Sequence, residues 1–201
     1  MFKKEKEESA FYLEPIFSSF LVKKKLDLDT KEIKTWVERE FKRDLHEDYK
    51  IELQFNEKVL KDFYFKINQI LDKLHVAIGF SKNTKQQIQS AWVNVNSNER
   101  TSIPHCHSYS DFICVYYPYV EHGSGNLELM NPNASIEYAF PQGRNNTIIE
   151  SHNIFNSRLW EIVPENDLLV IFPSWLIHYV KQGIPNTTRM SIALNSKIVP
   201  N

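Results

Sequence analysis

Long apolar runs are missing from this sequence. No stretch of about 18 apolar residues occurs, which excludes a transmembrane helix. The opening segment, MFKKEKEESAFYLEPIFSSFLV, has a charged start and an apolar patch, but Glu14 and Pro15 interrupt the patch and no small-residue cleavage site follows. The expectation is a mature cytoplasmic protein, in which the sequons at Asn133, Asn145 and Asn186 carry no glycans. Cysteine is scarce: Cys106 and Cys114 can build neither a disulfide framework nor a four-cysteine zinc site, and both are expected as reduced thiols. Net charge is nearly absent, with 24 Lys and Arg against 25 Asp and Glu, so no global basic field draws in nucleic acid. There is also no G-x-S-x-G elbow, no HExxH and no P-loop, which removes the common hydrolase readings.

What is present divides into two textures. The first 85 residues or so read as helical with one early strand. Ile33, Trp36, Val37 and Phe41 recur at helical intervals within 29–48, with Asp29 or Thr30 placed to cap the start. Residues 57–75 repeat the pattern through Val59, Leu60, Phe63, Ile67, Ile70, Leu71 and Leu74, and Gly79 lies beyond the end. Between them IELQF (51–55) alternates as a strand does. After about residue 88 the segments IQSAWVNVN, DFICVYYPYV, NLELM, SIEYAF, NTIIE, HNIFNSRLWEIV, DLLVIF, IHYVKQ and RMSIALNSKIV are short and β-branched or aromatic. Asn, Pro, Gly and Ser punctuate them. Many short strands with turn signals between them predict a β-sandwich, jelly roll or barrel.

Seven histidines are candidates for chemistry: His46, His75, His105, His107, His122, His152 and His178. His105 and His107 stand at i and i+2, so in an extended chain both imidazoles face one point and Cys106 faces away. Neutral imidazole suits Fe, Zn, Cu or Ni, but an HxH pair alone is a weak signal. His178 opens a strand after DLLVIFPSWLI, in apolar and aromatic surroundings where its ring nitrogens need partners. Eleven residues later Arg189 and Ser191 again share a strand face. A guanidinium binds a carboxylate bidentately, and a neighbouring hydroxyl adds a further hydrogen bond. The order HxH, a long gap of strands, H, then RxS is more specific than any of its parts.

With these residues in hand, the sequence resembles the 2-oxoglutarate/Fe(II)-dependent oxygenases, the prolyl-hydroxylase-like double-stranded β-helix superfamily. The resemblance runs from AWVNVN (91–96) through PHCHSYSDFICVYYPYV and GNLELMNP to FPSWLIHYV and RMSIALN. It implies a mainly β fold, a double-stranded β-helix (jelly roll, cupin-like), with N-terminal helices. With the residue patterns above, the expectation is one domain over 1–201, with 1–86 a mainly helical buttress and 87–201 the jelly-roll core. His105 takes the place of the first metal ligand and His178 that of the distal histidine. Arg189 and Ser191 take the place of the pair that holds the C5 carboxylate of 2-oxoglutarate, and Tyr117 resembles a tyrosine that reaches the same carboxylate. Its neighbour Tyr116 would replace it after a one-residue slip. Where most members carry a carboxylate this chain has His107, so the second ligand is His107, Asp111 reaching in from the next strand, or water.

The implied activity is a dioxygenase of hydroxylase type, using Fe(II), 2-oxoglutarate and O2 on a small-molecule or peptide substrate. Trp92, Tyr116, Phe172 and Trp175 are aromatics that line a cavity or fill core. Arg144, His152 and Arg158 belong to a polar loop, 142–158, at the cavity mouth or in solvent. Two other readings stand beside this one: a cupin-like metal enzyme that uses no 2-oxoglutarate, and a non-catalytic jelly-roll binding module. Nothing points to nucleic acid or a membrane as partner, and a homodimer is open.

Overall fold

The computed structural model describes residues 14–17, 19–41, 49–97, 101–133, 135 and 149–201. His46, Arg144 and most of the expected strands SIEYAF and NTIIE lie outside them. The described chain forms β1 (Val22–Lys25), α1 (Thr30–Phe41), β2 (Tyr49–Glu52), α2 (Lys61–Ile78), β3 (Thr84–Asn96), β4 (Phe112–Val120), β5 (Leu127–Met130), β6 (Leu159–Ile162), β7 (Leu168–Pro173), β8 (His178–Val180) and β9 (Arg189–Pro200).

Both helices form where their apolar spacing predicts. Asp29 caps α1, its Oδ1 accepting the N–H groups of Lys31 and Glu32 at 3.0 Å each. In α2 the stripe Phe63, Ile67, Leu71 and His75 is buried at four-residue intervals. Gly79 ends it at φ 88°, the left-handed conformation that glycine adopts without steric cost, and donates its N–H to the His75 and Val76 carbonyls.

A six-stranded sheet runs in the order β1-β7-β4-β9-β3-β2, and a three-stranded sheet in the order β6-β5-β8. Every pairing is antiparallel. Alternation along the strands sends successive side chains to opposite faces. One face of the large sheet carries Ala91, Val93, Val95, Phe112, Cys114, Tyr116, Leu169, Ile171, Met190, Ile192 and Leu194, which pack with Trp36, Phe63, Ile67 and Leu71 of the helices. The other face carries Ile113, Tyr117, Leu168, Val170 and Phe172, which pack with Leu127, Leu129 and Ile162 of the small sheet. The result is three layers: helices, large sheet, small sheet.

The N-terminal part is more than a helical buttress. It also supplies β1 and β2, the two edge strands of the large sheet. The sequence VKKK of β1 gives no apolar alternation, and its backbone pairing with β7 alone makes it a strand. The strand expected at 51–55 is shifted to Tyr49–Glu52, although Leu53 still donates to the Ala91 carbonyl at 2.8 Å.

Candidate metal and cosubstrate site

The face between the two sheets is where the polar residues of β9 and β3 gather. Because Met190, Ile192 and Leu194 face the helices, Arg189, Ser191, Ala193 and Asn195 face the small sheet. Their partners Asn96, Asn94 and Trp92 in β3 stand directly opposite Arg189, Ser191 and Ala193.

His105, His107 and His178 converge on this face, each offering one ring nitrogen, all within 4.8 Å of one another. Backbone pairing brings the two parts of the chain together. His105 and His178 exchange N–H···O bonds at 3.0 and 2.9 Å, and His107 N–H donates to the Ser174 carbonyl at 2.9 Å. The HxH segment is therefore not a continuous strand, as expected, but an isolated bridge followed by a turn. The turn is pinned by Ser174, whose hydroxyl donates to the Ser110 carbonyl.

Each imidazole is oriented by an oxygen on its Nδ1. His105 Nδ1 donates to the Ile103 carbonyl at 2.8 Å, His107 Nδ1 to Asn195 Oδ1 at 2.7 Å, and His178 Nδ1 to the Leu176 carbonyl at 2.9 Å. With Nδ1–H committed, the lone pair of each neutral ring sits on Nε2, and that is the atom left to hold a metal. Burial lowers the His178 pKa to about 4, against the upward pull of its bond to Leu176 and helped by His105 and His107. Burial likewise lowers that of His107. Both rings are then neutral, the form a metal requires. Phe172 lies edge-on to His178 at 4.8 Å and Trp92 stacks on His107 at 5.8 Å. The chemistry of this donor set fits a transition metal such as iron.

The carboxylate of Asp111 is not part of the cluster. Its Oδ2 accepts the Ile198 N–H at 2.6 Å and so fastens the start of β4 to β9. Among the other histidines, His75 is structural, its Nε2 lying 3.0 Å from the Ser81 carbonyl. His122 and His152 are exposed and outside the cluster, and Arg158 is also exposed.

The residues read as the carboxylate anchor meet on the same face. Arg189 is 2% exposed, its guanidinium held by the Gly125 carbonyl at 2.9 Å and Asn96 Oδ1 at 2.8 Å. Gly125 is required there, because a Cβ would fall 1.9 Å from the Lys181 carbonyl oxygen. Tyr117 is buried close enough that the Arg189 charge acts against the upward push of burial on its pKa. Among the described residues the hydroxyls of Tyr117 and Ser191 have no hydrogen-bond partner. Tyr116 points the other way, into the helix-side core, and donates to Asp167 Oδ1 at 2.9 Å. Trp175 is exposed.

Asn195 went unassigned in the sequence. The signal for it was parity: Arg189, Ser191 and Asn195 are all an even number of residues apart, hence on one strand face.

The model of the family described as "Putative 2OG-Fe(II) oxygenase" matches residues 90–195, about half of the chain. The chain belongs to that family. It is a 2-oxoglutarate/Fe(II) oxygenase, and its cofactors are Fe(II) and 2-oxoglutarate, with O2 as co-substrate. Similar solved structures share its double-stranded β-helix at low identity. A viral collagen prolyl hydroxylase from Paramecium Bursaria Chlorella virus-1, in complex with 2-oxoglutarate, is 12% identical at a TM-score of 0.57, covering 88% of this chain and 94% of that one. A prolyl hydroxylase from Trichoplax adhaerens, in complex with a hypoxia inducible factor peptide fragment, is 15% identical at 0.58, covering 88% and 83%. The α-ketoglutarate-dependent epimerase SnoN from nogalamycin biosynthesis is 10% identical at 0.62, covering 88% and 76%. No curated protein sequence matches the chain. No helix among the described residues is long and apolar enough to cross a membrane.

Proposed function

We propose that the oxygenase is a hydroxylase in which His105, His107 and His178 hold Fe(II) through Nε2, while Arg189, Ser191 and Tyr117 hold the C5 carboxylate of 2-oxoglutarate. The observation that carries the ligand set is the convergence of the three rings, each with Nδ1 on an oxygen and each offering one ring nitrogen within 4.8 Å of the other two. His107 stands where most members have a carboxylate, and its bond to Asn195 supports it over Asp111, which Ile198 engages.

When bound, the metal and 2-oxoglutarate supply the oxidising chemistry, with succinate and CO2 as co-products. The chain's own part is placement and shielding. A carboxylate bridging the buried Arg189 guanidinium to the Ser191 and Tyr117 hydroxyls would set its charge beside a cation and give each hydroxyl an acceptor. Phe172 and Leu176 keep the His178 side of the centre dry. The substrate is a small molecule or a peptide. Residues 1–201 act as one domain in this reading, because the N-terminal part completes both edges of the large sheet.

The test is turnover under isotopically heavy O2. Hydroxylation puts one heavy oxygen into the product for each succinate formed. An epimerised or desaturated product without heavy oxygen would leave the oxygenase family in place and reject the hydroxylase type.

A further inference from the structure

Resting on the reading of the three histidines as the iron site, we propose that Lys50 and Asn94 form a second anion subsite beside it, for a carboxylate carried by the substrate. The register places them. Lys50 of β2 stands opposite Asn94 of β3, and Asn94 opposite Ser191 of β9. Directly opposed residues share a face, with side chains about 5 Å apart. The row thus runs from the carboxylate anchor at Ser191 to the open edge of the large sheet at Lys50. Ile51 and Leu53 pack with the helix-side core, which leaves Lys50 on the site face.

The exposed Lys50 ammonium lies over the ring that flanks His107. Lys50 Nζ lies 4.3 Å from the centroid of the Trp92 ring, and that ring stacks on His107 with 18° between planes. Among the described residues no carboxylate pairs with Lys50, and no group bonds the Asn94 amide. Glu52 shares the face, opposite Trp92, yet forms no ion pair with Lys50. Three imidazole ligands bring no negative charge to compensate a divalent ion, so cation, ammonium and amide together favour an anion above Trp92. Arg189 and Ser191 are assigned to 2-oxoglutarate, so the anion at Lys50 belongs to the second substrate.

A free acid and an acidic peptide share this chemistry, and two probe pairs separate them: N-acetylglycine against its amide, and capped Gly-Asp-Gly against capped Gly-Asn-Gly. Each is titrated into protein loaded with Zn(II) and 2-oxoglutarate, reading the Trp92 indole N–H resonance, assigned with Trp92→Phe. The acid of at least one pair should bind about tenfold more tightly than its neutral twin, as a charge-assisted hydrogen bond provides. Lys50→Met keeps the stem on Trp92 and should abolish that preference; Glu52→Gln should keep it. Equal binding in both pairs, no binding of either acid, or an unchanged preference in Lys50→Met would overturn the subsite. The Fe(II) protein of each variant is checked for the visible band of its 2-oxoglutarate chelate. Loss of that band in Lys50→Met alone would assign Lys50 to 2-oxoglutarate and overturn the subsite, whereas its absence from the wild type would overturn the iron reading itself.

Discussion

Asn195 holds His107: its side-chain oxygen accepts the Nδ1 proton at 2.7 Å, while its amide nitrogen donates to Ser90 Oγ at 3.0 Å. The amide thereby fixes both the tautomer and the plane of the His107 ring. Outer partners of this kind are worth about ten- to a hundredfold in metal affinity. Asn195→Ala should weaken Fe(II) binding by about tenfold in anaerobic titration. Asn195→Asp, which keeps the acceptor and adds charge, should match or exceed wild type. Unchanged affinity in Asn195→Ala would remove Asn195 from the site.

The carboxylate anchor predicts a graded loss. Ser191→Ala and Tyr117→Phe each remove one hydrogen bond to an anion and should weaken 2-oxoglutarate by about tenfold. Arg189→Ala removes the bidentate partner and should weaken it by about a hundredfold or more. Fe(II) affinity measured without 2-oxoglutarate should stay constant across the three. A parallel loss of metal binding would mean that these residues support the fold rather than the cosubstrate.

The fold was legible wherever burial dictated periodicity. The helices of 30–41 and 61–78 follow from apolar spacing, and the shared face of Arg189 and Ser191 from strand parity. Illegible parts were those set by distant backbone. VKKK carries no alternation and is a strand only because β7 offers its edge. Asp111 stood beside His107 and water as a candidate second ligand, and only the fold brings to its Oδ2 the Ile198 N–H, 87 residues away. Lys50 gave no signal at all, because only the β2–β3 register sets it opposite Asn94.

The metal-free protein should lose stability as pH falls. The His178 pKa is lowered in the fold from 6.5 to about 4, and that of His107 is lowered too. Below about 6.5 the unfolded chain takes up protons that the folded chain refuses. Their contribution is therefore complete above that pH and is lost as pH drops towards about 4. Urea midpoints of chelator-treated protein should be lower at about pH 5 than at about pH 7, and His178→Gln should reduce that difference. Equal pH dependence in the variant would contradict it.

The two thiols should separate in reactivity. Cys106 is exposed, whereas Cys114 lies in the helix-side core with its pKa pushed up to about 12 by burial. Iodoacetamide should label Cys106 in the native protein and Cys114 only after unfolding, as read by peptide mass spectrometry. Native labelling of Cys114 would contradict the packing of β4 against the helices.

The most direct test of the whole account is anaerobic addition of Fe(II) and 2-oxoglutarate to the metal-free protein, watching for the weak visible charge-transfer band of the chelate. The band should appear only when both are present, vanish in His178→Ala, and require higher 2-oxoglutarate in Arg189→Ala. No band in the wild type, or an unaltered band in His178→Ala, would contradict the assignment of these residues to iron and its cosubstrate.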